Sequence, residues 1–300
     1  MGYHKPVMLQ ACVEGLNIRP GGIYVDATFG GGGHAKSIIE NLEGGRLIAF
    51  DQDADAKVNA DKIDDRSFTF IEANFRFIKR FLKLQGISKI DGLLADLGVS
   101  SHQIDTAERG FSTRFDAHLD MRMDRKASIS ARTLINEYPA TELHRIFGMY
   151  GEIKNAKTLS TAIAAARVNN PLNTINDLKA ILDKYAPKGK EFKYYAQVFQ
   201  AIRIVVNDEL KALEELLLQS AELMHQGGRL VIMSYHSLED RLVKNFINKG
   251  VFFGEAEKDI YGNITRPFEP VNKKPIVASI EEIAENNRAR SAKLRIARKV

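Results

Sequence analysis

The chain has 300 residues, 44% of them hydrophobic, with one cysteine and a formal net charge of +5, which suits one large or two modest globular domains and permits a polyanionic partner without requiring one. No apolar run reaches the roughly twenty residues of a membrane-crossing helix, and Cys12 cannot close a disulfide within the chain. Met1-Gly2-Tyr3-His4-Lys5-Pro6 lacks the apolar core of a signal peptide, so the expected location is cytoplasmic and no membrane partner is expected.

Residues 7–16 carry apolar side chains at helical spacing (Val7, Met8, Cys12, Leu16) until Pro20 and Gly21-Gly22 end the helix. A short apolar strand then leads through Asp26-Ala27-Thr28-Phe29 into four glycines, Gly30 to Gly33, and a helix is expected from Ala35 to Leu42. Glycines at a strand-to-helix junction allow positive φ and let a ligand approach the unpaired N–H groups of the helix start. Gly30, Gly32 and Ala35 fit the G-x-G-x-x-A dinucleotide fingerprint, and the next strand, Arg46 to Phe50, ends in Asp51 about twenty residues on. Asp51 stands where a carboxylate accepts two hydrogen bonds from a ribose diol. This geometry serves nicotinamide dinucleotides and adenosyl cofactors alike. The run Asp51-x-Asp53-x-Asp55 is not a calcium loop, because the required glycine is Ala56 and the required glutamate is Lys62. No residue cluster has metal-ligand spacing, and no metal is expected.

A helix over about 55–62 is followed by a third strand, Phe68 to Ala73, ending at Asn74-Phe75, where the Phe75 ring lies either against an adenine or in the core. After a helix from Phe77 to Gln85, a fourth strand, Ile90 to Ala95, ends in Asp96. Strands alternating with helices predict a parallel sheet whose ligands sit at the carboxyl ends of the strands, where Gly30 to His34, Asp51, Phe75 and Asp96 all fall.

Beyond Gln103 the rhythm becomes helical, with apolar spacing over 141–147, 156–168 and 175–185 and a capping box at Thr174 and Asp177. This predicts an inserted all-helical domain over 105–205, with Met1 to Ile104 and Val206 to Val300 forming an α/β core. Its Arg122, Arg125, Lys126, Lys188, Lys190 and Lys193, interleaved with Phe192, Tyr194 and Tyr195, suit phosphate contacts and base stacking. The core resumes with Asn207-Asp208-Glu209-Leu210 as the cap of a long helix to Met224; Gly227-Gly228 then introduces a strand over Arg229–Met233, ending in Ser234-Tyr235-His236-Ser237. Ser, His and Asp240 here do not form a hydrolase triad, since no G-x-S-x-G elbow is present. His236 reads either as a structural histidine or as a contact to substrate, and the basic tail from Arg288 as either a phosphate-binding arm or a solvated end.

Several motifs together resemble the bacterial 16S ribosomal RNA cytosine-N(4) methyltransferase family: Asp26 to His34; Asp96-Leu97-Gly98-Val99-Ser100-Ser101 with Gln103; Ala107 to Ser112; Leu119 to Asp124; Phe199-Gln200-Ala201 with Arg203-Ile204 and Asn207 to Leu210; Ser234 to Arg241; and Arg290 to Arg295. They span the chain. The resemblance implies a Rossmann-like methyltransferase fold, S-adenosylmethionine as cofactor and a decoding-site cytidine of 16S rRNA, within the small ribosomal subunit, as substrate. It implies cofactor contacts at Gly32, Gly33, His34, Asp51, Phe75, Asp96 and Gln103. For an exocyclic amine, the expected acceptors are Asp96, the backbone near Leu97 to Val99, or the hydroxyls of Ser100 and Ser101, with Tyr235 and His236 as target-base contacts. Gly31 departs from the family harmlessly; the stretch Lys193 to Val198 departs from its basic, His-containing run and leaves local RNA contacts open. A nicotinamide-dependent dehydrogenase accounts for the glycine loop and Asp51 but not for the Asp96–Ser101 strand end, and an RNA-binding module without catalysis accounts for the charge but not for the loop.

Overall fold

The computed structural model describes residues 6–300. The amino-terminal segment read above for a signal peptide lies, up to Lys5, outside the described residues. The chain forms two compact units: one runs through Gly98 and resumes over Leu210–Val300, and the other is Val99–Glu209. These boundaries fall a few residues outside 104/105 and 205/206, so Ser100, Ser101 and Gln103 belong to the second unit.

In the first unit the elements are α1 (Leu9–Leu16), β1 (Ile23–Asp26), α2 (Gly33–Glu40), β2 (Arg46–Asp51), α3 (Ala54–Ala60), β3 (Phe68–Glu72), α4 (Ile78–Leu84) and β4 (Ile90–Asp96). The second unit holds α5 (Ser101–Asp105), α6 (Ala131–Glu137), α7 (Ala140–Gly151), α8 (Ala156–Asn169), α9 (Ile175–Tyr185) and α10 (Glu191–Val206). The chain continues through α11 (Glu209–Leu223), β5 (Met224–Ser234), α12 (Ser237–Lys249), β6 (Phe268–Pro270), α13 (Ile280–Glu285) and β7 (Lys293–Lys299).

The sheet has the order β3-β2-β1-β4-β5-β7-β6. Its first five strands are parallel, and β7 runs antiparallel between β5 and β6. The expected mostly parallel, Rossmann-like sheet is therefore present, and the antiparallel β7 sets it apart from the all-parallel dinucleotide order. Near-continuous apolar strands follow from burial on both faces. Alternate residues divide between two cores: Val25, Ile48, Phe50, Leu93 and Ile232 pack with α4, α11 and α12 on one side. Tyr24, Leu47, Ala49, Leu94 and Val231 pack with α1 and α2 on the other.

The helical unit has its own core, built from Leu134, Ile146, Phe147, Leu159, Leu178, Val198 and Ile202 among others. Thr174 and Asp177 form the expected capping box at α9. Several expectations are corrected. Asn207 closes α10 instead of opening α11; its side chain takes the Met123 N–H at 2.7 Å and donates to the Met121 carbonyl at 2.8 Å, while Asp208 adopts φ 50° before α11 begins. Gly227-Gly228 lies within β5, which starts at Met224. Tyr194 and Tyr195 are core residues, their hydroxyls bound to Asn155 and Asp183, so neither ring is offered to a base. The basic tail is not a loose end: Asn287–Ser291 forms a short 3-10 turn and Lys293–Lys299 is strand β7. No helix among the described residues is long and apolar enough to cross a membrane.

Candidate active site at the carboxyl ends of β1, β2 and β4

The loop after β1 is fixed by the ends of its neighbouring strands. Ala27 donates to the Leu94 carbonyl at 2.8 Å and Phe29 to that of Phe50 at 2.9 Å, while the Thr28 hydroxyl accepts from the Asp96 N–H at 2.7 Å. The chain then turns through Gly30 (φ 52°) and Gly32 (φ 77°) into α2, two residues earlier than expected. A Cβ on Gly32 would lie 2.7 Å from the Phe29 ring, and one on Gly33 2.2 Å from Pro6. Gly31, by contrast, is exposed and a Cβ there would meet nothing within 4 Å. The loop is thus pressed against the protein on one side and open on the other, as a ligand cradle requires.

Asp51, ending β2, accepts from the Gly30 N–H at 2.7 Å and from the Asp53 N–H at 2.9 Å, one bond on each carboxylate oxygen. Both oxygens are thus held at the strand end beside the glycine loop. At the end of β3, Asn74 caps the short turn Phe75–Phe77 by accepting from the Arg76 N–H at 2.9 Å, and its amide donates to Gln52 at 2.7 Å. This ties the β2 and β3 ends together and leaves Phe75 half-buried against the core.

The chemistry-bearing groups converge at Asp96. The Tyr235 hydroxyl donates to Asp96 Oδ1 at 2.8 Å. His34 Nδ1 lies 3.9 Å from Asp96 Oδ2, with 7% of the His34 side chain and 23% of the Asp96 side chain exposed. His34 Nε2 sits 3.2 Å from the Val7 carbonyl, which can only accept, so the proton is on Nε2 and Nδ1 presents a lone pair. Burial lowers the His34 pKa to about 4, against the opposing bond to Val7, and the ring is neutral at pH 7. Burial raises Asp96 to about 7; the Tyr235 bond opposes this, while the charges of Asp26 and Glu239 add to it. Burial, and then the negative charge of Asp96, push the Tyr235 hydroxyl far above its ordinary value, so it remains a donor.

Three residues to which the sequence reading gave no role complete the cluster. Thr28 holds the Asp96 backbone, as above. Asp26, 1% exposed, accepts from Thr28 N–H at 3.1 Å and leaves Oδ2 without a partner; burial raises its pKa to about 7. Glu239, 2% exposed, accepts from the Tyr235 N–H at 2.9 Å and so aims the strand end at Asp96. His236 is the N-cap of α12 and forms a capping box with Glu239, which places its ring at the helix entry; Nε2 is 3.2 Å from a Glu239 oxygen but too oblique to bond to it. The signals for these roles were present in the sequence: a carboxylate four residues before the first glycine of the loop, and a Glu three residues after a His just past a strand end.

In the second unit, Ser100 caps α5. Its hydroxyl accepts from the Gln103 N–H at 3.2 Å, and Gln103 Oε1 accepts from the Ser100 N–H at 3.0 Å. Ser101 is the first residue of that helix, and Gln103 is buried.

Comparison with known proteins gives a consistent result. The model of the MraW methylase family matches residues 1–300. A protein of Cytophaga hutchinsonii named ribosomal RNA small subunit methyltransferase H is 60% identical over 295 residues, covering 98% of this chain and 99% of that protein. A protein of the same name from Flavobacterium johnsoniae is 56% identical over 301 residues, covering 100% of this chain and 99% of its own length.

Proposed function

The chain belongs to the MraW methylase family, and from that premise we propose that it methylates the exocyclic N4 amine of a cytidine in the decoding region of 16S rRNA, by direct transfer without a covalent enzyme adduct. S-adenosylmethionine is the cofactor, and when bound it supplies an electrophilic sulfonium methyl. The residues present suit it: Gly32, Gly33 and His34 form the cradle wall, Asp51 places a carboxylate at the strand end where a ribose diol would lie, Phe75 offers an aromatic edge, and Asp96 a further polar contact.

The observation that carries the reading is the acceptor cluster at Asp96. A cytosine amine has its lone pair delocalised into the ring and bears two hydrogens, so it reacts best where acceptors hold those hydrogens and draw charge toward them. Asp96 Oδ2 and the lone pair of His34 Nδ1 are two such acceptors, 3.9 Å apart. Tyr235 holds the other Asp96 oxygen, fixing the carboxylate, and Asp96 with a pKa of about 7 is poised to take the proton that leaves the amine after transfer. His236 works with Glu239 on the placement of Tyr235. Alignment of amine and methyl supplies the leading share of the acceleration, up to about 7–11 kcal/mol.

A covalent route through the pyrimidine ring needs a reactive thiolate. The sole cysteine, Cys12, is fully buried in α1 with its pKa raised well above the ordinary value by burial, and it is chemically inert there. The helical unit is the RNA-recognition part, because its exposed lysines suit a phosphate backbone. The test is transfer of labelled methyl from S-adenosylmethionine to small ribosomal subunits lacking the modification, followed by mass spectrometry of the nucleosides. Label on N4 of one decoding-site cytidine is expected; label on a ring carbon or on ribose would overturn the assignment.

A further inference from the structure

We propose that Phe192 is a stacking platform for one unpaired nucleotide of the RNA, with Lys188, Lys190 and Lys193 engaging the phosphates on either side; this rests on the RNA-methylation reading above. Phe192 is 86% exposed, whereas its neighbours Tyr194 and Tyr195 on α10 are 3% and 7% exposed. Solvation of so large an apolar ring is unfavourable, and nothing in the fold of α10 requires it, since that helix buries its other face through Val198, Phe199 and Ile202.

The ring is nevertheless held. It meets Tyr195 edge to face, with centroids 6.3 Å apart and planes at 76°. Tyr195 is itself fixed, its hydroxyl bound to Asp183 and the Lys179 amine 5.8 Å from the centre of its ring. An exposed aromatic ring held by one aromatic neighbour is preorganised for stacking.

The charge around it selects the occupant. Lys188, Lys190 and Lys193 are exposed, and among the described residues none has an ion-pair partner. The one acid among them, Glu191, turns a carboxylate oxygen back to the Gly189 N–H at 2.8 Å. A symmetric contact with a second copy would bring these cations together, and an apolar protein surface would leave them without counter-charge. A single strand of RNA has both a π-face on every base and a phosphate on each side of it.

The experiment is fluorescence anisotropy of the full-length chain with a labelled, unstructured oligoribonucleotide and with a duplex of the same length. Phe192→Ala is expected to weaken single-strand binding about tenfold while leaving the salt dependence and the melting temperature unchanged, and Phe192→Trp to retain binding. Replacing the three lysines by serine is expected to reduce the salt slope by about 2. Single-strand binding that Phe192→Ala leaves intact overturns the stacking assignment alone. So does a Phe192→Ala variant whose altered property is self-association or affinity for anionic vesicles. A chain that binds neither oligonucleotide nor ribosomal subunits overturns the functional reading beneath it.

Discussion

At the scale of single residues, Asp96 owes its character to what surrounds it. Burial favours its neutral form, and the Tyr235 hydroxyl pulls the other way by bonding to the carboxylate. If the ionised carboxylate is the acceptor in methyl transfer, turnover should rise with pH through about 7, since the group loses its proton there. Asp96→Asn should abolish this limb and lower kcat by about 10²–10⁴-fold, with a smaller loss of cofactor affinity from its polar contact there. Tyr235→Phe should lower kcat less, and because it removes the donor that holds the Asp96 pKa down, it should move the limb to higher pH. A pH–rate profile of the three proteins checks both statements, and a limb in the same place for Tyr235→Phe would show that the hydrogen bond does not act on the titrating group.

At the scale of elements, the strand–loop–helix from β1 to α2 was readable because each of its requirements falls on a residue type: apolar strand, glycines at positive φ, acid at the next strand end. What the residue types did not reveal is how differently the four glycines are constrained. Gly32→Ala combines a left-handed backbone with a Cβ 2.7 Å from Phe29 and should cost about 1–3 kcal/mol in chemical denaturation, whereas Gly31→Ala, with open space around it, should be neutral. The β1–β5 rhythm was legible for the same reason, apolar runs of strand length being hard to place anywhere but a doubly covered sheet. β7 was not, although Lys293-Leu294-Arg295-Ile296 alternates as a strand should, because its basic residues looked like a solvated tail. Their partners are far away in sequence: Arg295 and Lys293 pair with Asp240, and Arg298 pairs with Glu269. The motifs around Arg109 and Arg122 likewise do not separate building from binding. Arg109 is buried and donates to the carbonyls of Arg122 and Met123, and Arg122 pairs with Asp120. At the site, the glycine loop, Asp51 and Asp96 could be read from strand ends, and the His236-x-x-Glu239 spacing announces a capping box, but that Glu239 also takes the Tyr235 N–H depends on a rotamer that no spacing encodes.

At the scale of the whole molecule, the sheet is finished by an ion pair. Asp240 on α12 and Arg295 on β7 are 14% and 11% exposed and bond at 2.7 Å, with the Lys293 amine 3.5 Å from the other Asp240 oxygen. Asp240→Ala strands Arg295 with little access to water and should cost about 3–5 kcal/mol in urea denaturation; Arg295→Ala should cost less, because Lys293 still faces Asp240, and the double variant should cost clearly less than the sum. The position of β7 also bears on how the protein is made. Of the seven strands it is the one translated after all the others, yet it lies inside the sheet, between β5 and β6. During synthesis, five strands can pair in the order β3-β2-β1-β4-β5 while β5 keeps a bare edge and β6 has nothing to join. That edge is a template for pairing between nascent chains until Lys293–Lys299 arrives to close it, so messages cut short before this heptapeptide should yield aggregating products, not shortened enzymes.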